Sequence, residues 1–256
     1  MLTLALALAL SAPAPAPTVQ QDQVRTDFVA LFEGREKEGL LELWRDNPGA
    51  ILVTIDADLE GALAEWEKKP DAPDSAAIAE RHERALWGAQ AATELTGNPI
   101  FADYASSFVG WDAEQKRSFR AGQKAFGSAR RALAGGDAEA SLAAARDCIG
   151  RAGPLGDWWG LAMGLQAEGD ALARQGQHGA AAFSLTRARQ INHDLGLTGA
   201  EYGCSVALAR VLAEHGPHAR AHAAVSHAIA LAVALGDENG QGELMALRKD
   251  LESKAR

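Results

Sequence analysis

From residue 112 onward, apolar and small side chains recur every three or four positions, and glycines interrupt the pattern at regular intervals. That spacing is the signature of helices with one buried face. Sliding the chain against itself by 40 residues superposes Gly136, Gly176 and Gly216, and also the pairs Leu155–Gly156, Leu195–Gly196 and Leu235–Gly236. Small residues fill further columns: Ala129, Gly169, Ala209; Ser141, Ala181, Ala221; Ala144, Ser184, Ala224; Cys148, Ala188, Ala228. Ala132, Leu172 and Leu212 form an apolar column. Each unit therefore reads as two antiparallel helices. The inner glycine ends the first and the Leu-Gly pair ends the second, where glycine can take the left-handed cap conformation. The small columns mark where paired helices approach closely, because a larger side chain there would force them apart.

Upstream, the same spacing predicts helices over about 22–33, 35–46, 50–68, 75–96, 99–110 and 112–134, separated by Asn47–Pro48, by "KPDAPDS" and by Asn98–Pro99. Residues 21–111 lack the repeat columns and are expected to form a helical extension packed on the array. At the other end, "GQGELMALRKDLESK" (240–254) puts Leu244, Leu247 and Leu251 on one face and charges on the other, as a capping helix requires. The expected fold is all-α, an α-solenoid of antiparallel helical hairpins over 112–256.

The segment "LQAEGDALARQGQHGAAAFSLTRARQI" resembles the tetratricopeptide-repeat family, with Gly169, Leu172, Ala181, Leu185 and Ala188 matching its alternation of small and large positions. The family's usual period is about 34 residues, so the longer period implies helices extended by about three residues each. The resemblance implies a right-handed superhelix that binds another protein or peptide, without catalysis or cofactor, on the face made by the first helix of each pair. Its groove residues would be Gln123, Phe126, Arg130, Met163, Gln166, Asp170, Arg174, Val206, Arg210 and Glu214. Arg130, Asp170 and Arg210 share one column, so an alternating line of charge is expected along that groove.

Composition adds limits. With 47% hydrophobic and 23% charged residues, the chain can bury a substantial core. The net charge of −9 is uneven, because residues 21–111 hold 8 Lys and Arg against 18 Asp and Glu, whereas 112–256 hold 17 against 16. No basic stripe offers itself to phosphates, which argues against a nucleic-acid partner. The opening "MLTLALALALSAPAPAPTVQ" (1–20) is too short to span a bilayer and suits a signal-peptide core, so export is expected despite the absence of Lys or Arg before Arg25; a cytoplasmic protein is expected if this run is not a signal. Cys148 and Cys204 occupy small columns and read as buried thiols.

Three stretches carry candidate chemistry. "DADLEGALAEWE" (56–67) presents Asp56, Asp58, Glu60, Gly61 and Glu67 at the spacing of a calcium loop, in competition with a continuous helix whose apolar stripe is Ile51, Leu52, Ile55, Leu59, Leu63 and Trp66. His178, His193, His215, His218, His222 and His227 crowd the C-terminal half; His218 and His222, four apart, could face one metal, but they stand in helix-packing columns and no carboxylate or thiolate is supplied at a fitting spacing, which favours packing. Trp158–Trp159 is either an exposed anchor or the staple of a corner. No nucleophile elbow, phosphate-binding loop or paired-cysteine motif is present. The leading expectation is a non-catalytic scaffold; the alternatives are a calcium-responsive protein using 56–67 and an enzyme or metal protein using the histidines.

Overall fold

The computed structural model describes residues 19–254, which form twelve α-helices and no strand. The signal-peptide expectation for 1–20 concerns residues almost wholly outside that span. None of the described helices is long and apolar enough to cross a membrane. The front part comprises α1 (Val19–Gly34), α2 (Lys37–Asp46), a 3-10 turn at Pro48–Ala50, α3 (Ile51–Lys68), α4 (Ser75–Thr96) and α5 (Ile100–Val109). The remainder comprises α6 (Ala113–Ala134), α7 (Ala138–Leu155), α8 (Trp158–Arg174), α9 (His178–Asp194), α10 (Thr198–His215), α11 (His218–Leu235) and α12 (Glu238–Lys254).

From α6 onward each helix packs on the next, and α6 also touches α8, α8 touches α10 and α10 touches α12. The even-numbered helices thus share one layer. The small columns explain the closeness: Ala129, Ala181, Ala188, Ala209 and Ala228 are completely buried, and a Cβ on Gly169 would lie 2.6 Å from the Leu185 side chain. Ser141 sits in the same seam, and its hydroxyl lacks a hydrogen-bond partner.

Five of the six corners in this part are built alike. Gly136, Gly156, Gly176, Gly196 and Gly236 have φ between 67° and 85°. The following N–H reaches back to the carbonyl five residues earlier, as in Asp157 to Ala152 (3.1 Å) and Leu197 to Asn192 (2.8 Å), which is the Schellman closure of a helix end. Gly216 departs from the other five corners, with φ −102° and ψ 171°. The cause is Pro217: its ring pushes the preceding residue into extended backbone, and it has no N–H to close the corner. Gly216 keeps only its own bond to the Leu212 carbonyl, 2.8 Å.

The front part has an aromatic core that the repeats lack. Trp44 is fully buried, stacks on Phe28 at 5.2 Å and donates its Nε1–H to the Gly88 carbonyl at 3.1 Å. This core runs on into the array through Phe108, Trp111, Phe119, Leu155 and Leu195. Two of the Leu-Gly corners are therefore docking points. Leu155 and Leu195 are buried beneath the front helices, whereas Leu235, with no front helix over it, is 45% exposed. A Cβ on Gly156 would lie 2.5 Å from the Ser107 hydroxyl, and one on Gly196 would lie 3.1 Å from the Pro48 carbonyl.

Segment 51–68 is one continuous helix, so the calcium loop is not formed. Along a helix the carboxylates point to different faces, and each has another partner. Asp58 is 1% exposed and is gripped by Arg84 through two bonds of 2.7 Å. Asp56 accepts the Tyr104 hydroxyl at 2.5 Å, and Glu60 and Glu67 both bind Arg120. The helical stripe wins because burying Leu52, Ile55, Leu59 and Leu63 outweighs anything the loop would gain.

Candidate functional site

The front part and the even-helix layer meet around a cavity of about 160 Å³. α3 contributes Asp56 and Glu60, and α5 contributes Tyr104. From α6 come Phe119, Gly122, Gln123 and Phe126; Cys148 lies on α7; Trp159, Gly160 and Met163 belong to α8, and Asp157 stands just before it. Three acids thus look into a space otherwise walled by aromatic rings, a thioether and a thiol.

Local sequence explains how each acid is aimed. Asp157 follows the left-handed Gly156 and caps α8, its Oδ1 accepting the Gly160 N–H at 2.8 Å. It is only 6% exposed, and its second oxygen has no donor among the described residues. Asp56 takes the Tyr104 hydroxyl on Oδ1 only. Glu60 is fully engaged, with Oε2 on Arg120 at 2.6 Å and Oε1 on the Gln123 amide at 2.7 Å. Arg120 also grips Glu67 at 2.7 and 3.0 Å, which locks α3 to α6 and holds the Glu67 carboxyl below its usual range. Among the described residues, neither Asp56 nor Asp157 has an ion-pair partner.

Burial pushes the Asp56 carboxyl up to about 7, against the Tyr104 hydrogen bond, with Glu60 and Asp157 adding repulsion. Burial likewise pushes Asp157 up to about 6, opposed by the Gly160 N–H. Carboxyls raised in this way are placed to exchange protons near neutrality. It offers no activated sulfur: burial pushes the Cys148 thiol up to about 12 and the Cys204 thiol likewise. Both cysteines are buried and free.

The ten groove residues expected from the repeats divide into separate groups. Gln123, Phe126 and Met163 line the cavity. Arg130 lies over the Phe126 ring, 5.9 Å from its centroid. Gln166, on α8, is half-buried. Burial raises the Asp170 carboxyl to about 7, and Arg174, one turn on, is the cation that opposes this. Val206 packs against the cluster of Ala228, Ala232 and Leu244, Arg210 donates to Glu243 of α12 at 3.1 Å, and exposed Glu214 lies 3.5 Å from His215. Within the expected charge line, Asp170 thus feels Arg174 on its own helix, and Arg210 pairs with Glu243 of α12, which packs on α10.

The histidines serve packing. His218 bonds the Leu251 carbonyl at 2.8 Å and His222 lies 3.8 Å from Glu252, so the pair holds α12 in place. His178 stacks on His215 at 3.4 Å, while His193 and His227 flank the buried Glu201 at 3.2 and 2.9 Å. No group of three or more metal-ligating side chains converges among the described residues. Trp158 packs into the corner as a staple, and Trp159 shares that contact and also walls the cavity. The sequence singled out Asp56, Glu60 and Trp159 for other reasons; nothing local marked Tyr104 or Asp157 as their neighbours, though the Gly-Asp step repeated at 136, 156 and 236 does mark Asp157 as a cap.

No protein-family model matches the chain, and no curated protein matches it.

Proposed function

We propose that this protein is a non-catalytic helical-repeat scaffold that holds a segment of another protein along the layer of α6, α8 and α10, anchored in the cavity at its junction with the front part. The carrying observation is that the cavity draws Gln123, Phe126 and Met163 from the first helices of two hairpins and is closed by α3 and α5. An α-solenoid of the tetratricopeptide-like kind accounts for the repeated corners and for the contact of each even helix with the next. In such a stack the first helices make the concave, binding face. The resemblance rests on the columns and the corner geometry.

The test is site-specific photo-crosslinking in cells of the native source. A crosslinker at Met163 should capture a discrete partner, whereas one at Phe183, 65% exposed on α9, should not. Arg130→Ala combined with Arg210→Ala should weaken the Met163 crosslink while helicity and Tm stay close to wild type. Equal capture at both positions, or none at Met163, rejects the reading.

A further inference from the structure

We infer that the junction cavity is a receptor for a primary ammonium on a short apolar stem, the lysine side chain of a bound segment being the source that fits the scaffold reading on which this inference rests. The cavity is short of positive charge. Arg120 spends its donors on Glu60, Glu67 and Gln123, while Asp56 and Asp157 face the space with no ion-pair partner among the described residues. Among the described residues, each of these two carboxylates has a donor on one oxygen only, Tyr104 for Asp56 and Gly160 for Asp157. Asp157 is 6% exposed, so its free oxygen gains little from bulk water. A carboxylate oxygen that opens onto a largely apolar cavity gains from a donor delivered by a ligand.

An ammonium carries three N–H donors and no acceptor, so it can donate to more than one carboxylate oxygen. The remaining walls suit its stem. Phe119, Phe126, Trp159 and Met163 are apolar, and aromatic faces attract a cation that has left water. At about 160 Å³ the space is close to a cavity of about 150 Å³ that admits benzene, which also suits a four-carbon amine. Burial disfavours the ionised carboxyls of the empty cavity, and an entering cation restores the charged form.

The experiment is calorimetric titration of the full chain with n-butylammonium chloride and, separately, with n-butanol, which has the same stem and no charge. The ammonium should bind saturably and raise Tm, and butanol should do neither. Asp56→Asn should lower the ammonium affinity at least about tenfold, the loss expected for one charge-assisted hydrogen bond. Glu60→Gln, with its side chain 27% exposed, is a second variant that lowers the cavity's negative charge if Asp56→Asn does not fold. Equal binding of amine and alcohol, or unchanged affinity in the variants, overturns the inference. The crosslinking test separates the two ideas. Capture at Met163 without ammonium binding leaves the scaffold and removes the receptor, while ammonium binding without capture keeps the receptor and assigns it a free amine.

Discussion

Replacing single corner glycines by alanine measures how the front part is seated. Gly136, Gly156 and Gly196 have φ of 85°, 67° and 69°, so each Gly→Ala change meets a similar backbone penalty. For an L-residue held left-handed that penalty is about 1 kcal/mol. Surroundings then divide the three. A Cβ at Gly136 meets nothing within 4 Å, one at Gly196 meets the Pro48 carbonyl at 3.1 Å, and one at Gly156 meets Ser107 Oγ at 2.5 Å and its Cβ at 2.9 Å. Overpacking of this kind costs about 1–3 kcal/mol more. Urea denaturation should therefore give losses of about 1 kcal/mol for Gly136→Ala, an intermediate value for Gly196→Ala, and about 2–4 kcal/mol for Gly156→Ala. A cycle pairing Gly156→Ala with Ser107→Gly should return most of the extra cost as coupling energy. Equal losses at all three corners, or no coupling with Ser107, would mean that the front helices do not rest on the Leu-Gly corners.

Three further outcomes are expected. Ala181→Leu should destabilise by about 1–3 kcal/mol because that seam is closed, whereas Ala143→Leu on the exposed face of α7 should change stability by less than about 0.5 kcal/mol, both read from urea midpoints. The carboxyls of Asp56 and Asp170 are raised to about 7 and that of Asp157 to about 6, from an ordinary 3.8, so the folded chain binds protons that the unfolded chain releases. Their contribution is full below about 4 and is lost as pH rises to about 7, each by at most about 1.4 kcal/mol per pH unit; Asp56→Asn should flatten the fall of Tm over that window, and an unchanged slope would exclude Asp56 as a source. Calcium should leave Tm unmoved, since the carboxylates of 56–67 are dispersed along α3; a calcium-dependent rise abolished by Asp58→Ala would show that α3 opens into a loop.

Element boundaries were legible because proline, glycine and asparagine punctuate a strong helical period. The expected helices at 50–68 and 75–96 appear as α3 at 51–68 and α4 at 75–96. The small columns were legible for the same reason, since local spacing repeats three times. What local pattern could not reveal is how the two halves meet. Leu155, Leu195 and Leu235 are equivalent in sequence, yet only the first two are buried, because burial there depends on front helices lying far away in the chain. The cavity joins Asp56 to Asp157 across about a hundred residues, and only the folded chain brings them together. The repeat columns gave no sign of the Arg210 partner, Glu243, because it lies on the capping helix outside them. The extended Gly216 was visible in principle, since Pro217 stands beside it; the column of three glycines masked the exception.

That exception divides the molecule mechanically. Five corners are stitched by a backward bond from the residue after glycine, while the joint between α10 and α11 lacks that stitch. The small C-terminal pair α11 and α12 should therefore detach as a unit, held back by the seam at Ala209 and Ala221 and by the bonds that His227, Asp237 and Glu243 make to Glu201, Tyr202 and Arg210 of α10. Under native conditions, amide hydrogens of α11 and α12 should exchange together and faster than those of α8 and α9, as a separate cooperative block. One proline thus sets where the array frays and leaves the α3–α6–α8 junction in the part that stays closed.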